Sequence, residues 1–378
     1  MTPVSPVQLL PESKRGLLLG VRGWSIVVGA FVVIAVLVPL LNLAVPAGHP
    51  LHFGDYGVAL VGKIMCYAMC ALAMDLIWGY TGILSLGHGL YFALGGYAMG
   101  MYLMRQIGHD GNYRSDLPDF MVFLDWKTMP WTWAGSASFA FQMLLVIAAP
   151  AALAGVFGWF AFRSRIKGVY FSIITQALTF AGMLLFFRNE TGFGGNNGFT
   201  DFKRILGISI AAPSTRMVLF VLTGLALVAF YLLARAVVNS KYGRVLQAIR
   251  DAESRVMFTG YDPLKYKLSI WVLSAVMCGI AGALYVPQVG IINPSEMSPA
   301  ASIEMAIWAA VGGRGTLVGP IVGAFFVNGA KSWFTQAFPE FWLYFLGALF
   351  IAVTLFLPRG IMGIKDRLKK EKGVEVKA

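Results

Sequence analysis

Polar side chains recur at regular spacing inside long apolar stretches of this 378-residue sequence. On a helix, residues three or four apart share one face, so these side chains form polar stripes. Hydroxyl, imidazole and amide groups match a solute that both donates and accepts hydrogen bonds. The same groups also bond neighbouring helices to one another, and the sequence does not choose between solute passage and helix packing. The first stripe is Ser85, His88 and Tyr91, and the second is Thr175, Gln176 and Thr179.

Glu304 is a single carboxylate that opens a broken apolar segment just after Ser302, which we expect to cap a helix. A charged side chain that faces lipid costs about 3 kcal/mol, so Glu304 should face the interior of a bundle. Glu304 either takes part in solute passage or complements the positive end of a helix dipole.

Three further charges lie within or beside apolar segments. Lys63 and Asp75 are about 18 Å apart along one helix, so they cannot pair with each other. We expect each to reach the nearer membrane surface. Arg314 stands between glycines, and we expect it to extend towards the membrane surface or to pair with an acidic residue of a neighbouring loop.

The stretch 239–263 is the strongest candidate for contact with a partner protein. Its apolar residues recur at helical spacing among charged ones, which predicts a short amphipathic helix that ends near Pro263. Such a helix can dock into a cleft of a cytoplasmic protein, although a solvated basic loop has a similar composition. The apolar positions are Val245, Ile249, Ala252 and Val256. The charged residues around them are Arg244, Arg250, Asp251 and Glu253, and Gly260 and Pro263 close the helix.

Groupings that carry catalysis are absent from the sequence. It has no phosphate-binding Gly-x-x-x-x-Gly-Lys-Ser/Thr string, no His-Glu-x-x-His and no Gly-x-Ser-x-Gly. Its cysteines, Cys66, Cys70 and Cys278, lie in apolar runs without neighbours at metal-ligand spacing. We therefore expect no enzymatic activity, no cofactor and no metal site, and any ATP hydrolysis must come from another chain.

The composition predicts an all-α integral membrane protein. Hydrophobic residues make up 58% of the chain and charged residues 13%, whereas about 25% of a soluble domain is charged. The net charge of +12 does not indicate nucleic-acid binding, because the basic residues lie in loops between apolar runs. A span needs about 20 apolar residues. The candidate runs are 24–45, 58–78, 83–104, 139–162, 169–187, 217–238, 268–291 and 343–357.

The distribution of basic residues predicts that both termini are cytoplasmic. With that orientation, the inner loops carry about three times as many Lys and Arg as the outer ones. The predicted parts are a cytoplasmic segment 1–23, a membrane domain 24–357 and a basic cytoplasmic tail 358–378.

The stretch 303–334 must then begin and end on the outer side of the membrane. A hairpin of two short helices meets this requirement, and it can be re-entrant or fully spanning. The complete prediction is a polytopic bundle of eight full spans plus this hairpin, about ten membrane helices in all. The hairpin turn is predicted at Gly312, Gly313, Arg314 and Gly315.

Several ordered motifs resemble the permeases of branched-chain amino acid ABC importers. The resemblance covers roughly residues 60–360. It rests on residues 243–260 of the polar stretch and on the strings Gly82 to Gly89, Gly279 to Tyr285 and Gly312 to Pro320. Within that family, the outer strings Phe187 to Gly198 and Ile292 to Pro299 are most similar to the urea-type permeases.

This resemblance implies a multi-pass permease of the bacterial inner membrane that imports a solute, urea above all, by alternating access. It also implies the partners: two cytoplasmic ATPase subunits, a second related permease and a periplasmic solute-binding protein. The polar stretch would then contact an ATPase, and the six candidate contacts that the resemblance implies are Arg244, Ala248, Arg250, Asp251, Glu253 and Gly260. The alternatives are a branched-chain amino acid importer, or a self-sufficient secondary transporter or urea channel.

Overall fold

Helices form most of the chain that the structure, a computed structural model, describes: residues 19–46, 48–356 and 360–363. The predicted segment 1–23 and tail 358–378 lie largely outside these residues. The first helix continues from α1 through two wider, π-type turns, Val33–Leu37 and Leu40–Ala44. The helices are α1 (Val21–Val32), α2 (Asp55–Thr81), α3 (His88–Arg105), α4 (Asp119–Phe123), α5 (Phe139–Arg163), α6 (Val169–Phe187), α7 (Pro213–Asn239), α8 (Lys241–Phe258), α9 (Pro263–Val289), α10 (Pro299–Gly312), α11 (Val318–Ala337) and α12 (Trp342–Phe356).

The prediction of a helical, polytopic membrane protein is confirmed. Among the described residues, 6 helices are long and apolar enough to cross a bilayer: the first helix with its π-type turns, α2, α5, α6, α7 and α9. The apolar helix α10 is shorter. The count of eight full spans and the side of each terminus stay predictions.

The centre of the bundle is formed by α2, α9 and α3. In α2 and in α9, 67% of the most apolar 18-residue stretch is buried, whereas none of the corresponding stretch of the first helix is buried. Glycines bring α3 and α9 together: a methyl group on Gly95 would lie 2.0 Å from the Gly279 carbonyl oxygen, and one on Gly282 would lie 1.8 Å from that of Phe92. Backbones approach this closely only where side chains are very small.

Adding one methyl group at Gly282 should separate these two helices. We expect Gly282→Ala to destabilise the protein by about 1–3 kcal/mol, the usual cost of overpacking, and to lower its melting temperature in detergent. Gly155→Ala in α5 is the matched control, because no atom lies within 4 Å of its added methyl group. Equal melting temperatures for the two variants would contradict the close contact of α3 with α9.

A non-helical stretch, residues 82–87, separates α2 from α3. The sequence predicted a continuous span from residue 83, but α3 begins at His88. The His88 ring lies beside Ser274, which is about 16 Å along α9 from its first residue. The stretch 82–87 is therefore non-helical backbone inside the bundle, where protein or water must surround it.

The helices α10 and α11 form the predicted hairpin. Their turn contains Gly313 with φ 116° and Gly315 with φ 76°, in a region that glycine adopts at little cost. Leu317 also has a positive φ, 61°, and is fully buried.

The cap of α10 differs from the prediction. Ser298 caps the helix, and its Oγ accepts a hydrogen bond from the Ala301 amide at 3.2 Å. The prediction of Ser302 was wrong because Pro299, whose fixed φ favours the first helical position, starts the helix one turn earlier.

Two segments that are distant in the sequence meet in a short antiparallel ladder. The strand β1 (Phe199–Thr200) pairs with β4 (Ile291–Ile292), so that Phe199 lies opposite Ile292. A second pair joins β2 (Arg204–Ile205) to β3 (Ile208–Ser209). The ladder attaches the segment after α6 to the segment that enters α10.

Candidate functional site

The first polar stripe lies at the start of α3. The Ser85 hydroxyl accepts a hydrogen bond from the Gly87 amide at 3.2 Å and lies 3.0 Å from His88 Nδ1. His88 Nε2 lies 3.1 Å from the Ser274 hydroxyl on α9. His88 is fully buried, so in this conformation both ring nitrogens contact protein groups rather than an open path.

The second stripe reaches the same break in the chain from α6. Thr175 Oγ1 accepts from the Leu86 amide at 3.1 Å, and Ser172 Oγ donates to the Leu84 carbonyl at 2.9 Å. Thr179 Oγ1 donates to the Thr175 carbonyl at 3.0 Å. The Ser172 and Thr175 hydroxyls thus satisfy backbone groups that a continuous helix would have satisfied itself, whereas Thr179 bonds only within α6.

The structure therefore brings most of the two stripes together around residues 82–87. Tyr91 joins them by its edge-to-face contacts with His88 and Trp271, at centroid distances of 5.7 and 5.8 Å. Gln176 is only half-buried and lies one position round the helix from Thr175. The contacts favour helix packing in this conformation, and a role in passage stays a prediction.

Glu304 faces a partner inside the protein, as its charge requires. Its two carboxylate oxygens lie 2.8 and 2.9 Å from Lys331 Nζ on α11. The sequence analysis missed Lys331, although a lysine within the apolar stretch after Pro320 was the available signal. The ion pair joins the two helices of the hairpin.

Asp75 holds the hairpin turn against α2. It is fully buried, and its carboxylate accepts hydrogen bonds from the amides of Gly315 and Leu317 at 2.5 and 3.0 Å. The expectation that Asp75 reaches the membrane surface was wrong, because the irregular turn offers it unpaired amides inside the bundle.

The other residues of the turn also contact α2. Arg314 lies over the ring of Trp78, with 5.2 Å from its guanidinium carbon to the ring centroid. The Tyr80 hydroxyl donates to the Gly315 carbonyl at 2.9 Å. A methyl group on Gly312 would lie 1.8 Å from the Gly319 carbonyl oxygen, so glycine lets the two arms of the hairpin approach.

The predicted amphipathic helix is α8. Ser240 caps it by accepting a hydrogen bond from the Gly243 amide, and it is kinked at Ala252, whose φ is −157° and ψ is 75°. Ile249 and Val256 are buried as predicted. The buried face is centred on Leu246, at 0% exposure, whereas Val245 and Ala252 are only half-buried.

Two of the six candidate contacts bind parts of this chain outside α8. The Arg250 guanidinium donates to the Gly79 carbonyl at the end of α2 at 2.7 Å. Glu253 bonds to Lys267 on α9 and to Lys167 in the link between α5 and α6, both at 2.5 Å. The remaining four lie on the exposed side of the chain: Arg244, Ala248, Asp251 and Gly260.

Glu253 is charged at neutral pH. Burial favours its uncharged form, but hydrogen bonds from Lys167 and Lys267 outweigh that effect, so the pKa of the Glu253 carboxyl lies below its ordinary value. The charged side chains of Arg250 and Glu253 thus bond α8 to three separate parts of the bundle: the end of α2, α9 and the link between α5 and α6.

Comparison with known proteins identifies the class of this bundle. The family model described as "Branched-chain amino acid transport system / permease component" matches residues 57–354. The chain therefore belongs to this permease family. No solved structure matches it.

The chain is similar to two kinds of branched-chain amino acid transport permease. It is 23% identical to the high-affinity permease protein LivM of Escherichia coli K12, over 89% of this chain and 77% of LivM. It is 22% identical to LivH of the same strain, over 79% of this chain and 91% of LivH. A ribose import permease, RbsC of Bacillus subtilis, is 25% identical over 42% of this chain and 49% of its own length.

Proposed function

We propose that the chain is a membrane-spanning permease subunit of an ATP-driven ABC importer in a bacterial inner membrane. It works with two cytoplasmic ATPase subunits, a second related permease and a periplasmic solute-binding protein. The observation that carries the proposal is α8: its apolar side packs on the bundle and its charged side is exposed. Such a helix can receive movement from a partner and pass it to the spans.

The internal bonds of α8 give that movement a physical route. Arg250 links the helix to α2, and Glu253 links it to α9 and to the link between α5 and α6. An ATPase that binds one arrangement of these helices more tightly than another shifts the population between the two. This is alternating access driven from the cytoplasm.

The proposed orientation follows from the same contacts. The helix α8 and Lys167 lie in the basic loops predicted to be cytoplasmic, and the paired strands β1 and β4 lie in loops predicted to be outside. In the proposed topology α10 and α11 form the hairpin between the seventh and the eighth full spans, which are α9 and α12. The third span is α3, and the stretch 82–87 forms its inner part.

Urea is the solute that we propose first. The two strings that resemble urea-type permeases are distant in sequence, yet they meet: a methyl group on Gly198 would lie 2.0 Å from the Ile292 carbonyl oxygen. Branched-chain amino acids are the second candidate, and the names of LivM and LivH support them at least as well.

Uptake measurements distinguish the two solutes. In a strain that lacks this chain, restoring it should restore ATP-dependent uptake of labelled urea, and labelled leucine should stay at background. If leucine uptake were restored without urea uptake, the proposed solute would be the amino acid instead of urea, and the proposal of an importer would stand. Uptake of neither solute would contradict both assignments.

A further inference from the structure

We propose that the outer half of the solute path is the cleft between α2 and α11, where the Lys63 ammonium takes a carbonyl-type oxygen of the solute. This inference rests on the proposed function and names a site that neither polar stripe predicted. The cleft has a volume of about 420 Å³ and is lined by Lys63, Tyr67, Gln288, Asn328, Lys331 and Ser332.

The first support is the depth of these polar groups. Lys63 follows the first residue of α2 by eight positions, which is about 12 Å along the helix. Asn328 precedes the last residue of α11 by nine positions, about 14 Å. Charged and amide groups at this depth are costly against lipid, so the face that carries them borders water or another protein chain.

The second support is the arrangement of charge in the cleft. Lys63 Nζ lies 5.6 Å from the ring centroid of Tyr67 and 5.9 Å from that of Tyr285. The Tyr285 hydroxyl donates to Glu296 Oε1 at 3.1 Å, and Lys331 is paired with Glu304. Glu296 and Glu304 do not line the cleft, but they interact with its two lysines and so offset their charge.

The third support is that the cleft opens at a hydrogen-bonded rim. The Tyr56 hydroxyl on α2 lies 3.3 Å from the Ser332 hydroxyl and accepts from Gln336 Nε2 at 3.1 Å. A volume of about 420 Å³ holds roughly a dozen waters at about 30 Å³ each. A small solute therefore fits and keeps part of its hydration.

These groups define the chemistry of the ligand. The Lys63 ammonium donates to a carbonyl or carboxylate oxygen, and the amide oxygens of Gln288 and Asn328 are of the type that accepts from N–H groups. The tyrosine rings give flat apolar walls. A small dipolar solute with one such oxygen and N–H donors fits, which includes both urea and an amino acid.

Cysteine labelling tests whether the cleft holds water. In right-side-out membranes with the assembled importer, a membrane-impermeant thiol reagent should label Ser332→Cys, and more slowly Asn328→Cys, whose position is only 6% exposed. Phe326→Cys is the depth-matched control, because Phe326 is exposed on another side of α11 and does not line the cleft. The native cysteines are buried, so the unaltered chain gives the background.

The proposed path would be overturned if Phe326→Cys were labelled as fast as the two cleft variants. It would also be overturned if neither cleft variant were labelled. This outcome does not depend on the solute. It therefore remains informative if the importer proves to carry neither urea nor leucine.

Uptake by Lys63→Met tests the role of the ammonium group. We expect at least a tenfold loss of uptake, about 1.4 kcal/mol per factor of ten, for whichever of urea and leucine the unaltered importer carries. Lys63→Arg should recover a large part of the uptake. Lys203→Met, an exposed control in a loop predicted to be outside, should not change the uptake. Unchanged uptake by Lys63→Met would overturn the assignment of the ligand group, while uptake by the unaltered chain tests the proposed function separately.

Discussion

Asp75→Ala is expected to lower the free energy of unfolding by about 3–6 kcal/mol, because two hydrogen bonds to a charged acceptor are lost at about 1.5–3 kcal/mol each. The buried amides of Gly315 and Leu317 lose their partner, and the hairpin turn loses its attachment to α2. The melting temperature of the purified protein in detergent measures the effect. Asp75→Asn should recover only part of the lost stability, since its NH₂ group cannot accept a hydrogen bond from a backbone amide.

The matched control removes a carboxylate from the surface. Asp110 pairs with Arg204 at 2.7 Å, and about half of each side chain is exposed. Asp110→Ala should therefore cost less than about 1 kcal/mol. If Asp75→Ala and Asp110→Ala melted at the same temperature, the buried carboxylate would not be what holds the turn.

Ala248→Trp is expected to weaken assembly with the ATPase subunits while leaving the membrane bundle folded. Ala248 lies on the exposed side of α8, where a large ring keeps the docking surfaces apart. Binding should fall about thirtyfold, since the loss of one interface hot spot costs about 2 kcal/mol and about 1.4 kcal/mol is a factor of ten. The measurement is the amount of ATPase that co-purifies with the chain.

Two controls separate docking from folding. Ala177→Trp places the same ring on the exposed surface of α6 and should leave ATPase binding unchanged. Ala248→Ser should also bind normally. Full ATPase binding by Ala248→Trp, with an unchanged melting temperature, would contradict the assignment of α8 as the docking helix.

The sequence predicted the helical class, the hairpin and α8, because these follow from local patterns. Apolar run length determines which segments can span, and glycine spacing marks the turn after Gly312. The face of α8 was predicted less well: helical spacing selected Val245, but Leu246 is buried. Both residues are apolar, and spacings of four and of three from Ile249 both fit a helix face.

Contacts between distant segments could not be predicted from the sequence. Asp75 and Leu317 lie 242 residues apart, and the Lys331 partner of Glu304 depends on how two helices cross. The break at residues 82–87 was hidden because its composition is apolar and rich in glycine, which suits a packed span equally well. Pattern analysis identifies the polar residues, and tertiary packing decides what they contact.

Transport by the purified chain tests the central claim most directly, namely that this permease has no energy source of its own and is driven through α8. In liposomes, the chain alone should move neither urea nor leucine. Addition of the second permease, the two ATPases, the binding protein and ATP should start uptake of one of them. Solute movement by the chain alone, with or without an ion gradient, would contradict the account and support a channel or a secondary transporter.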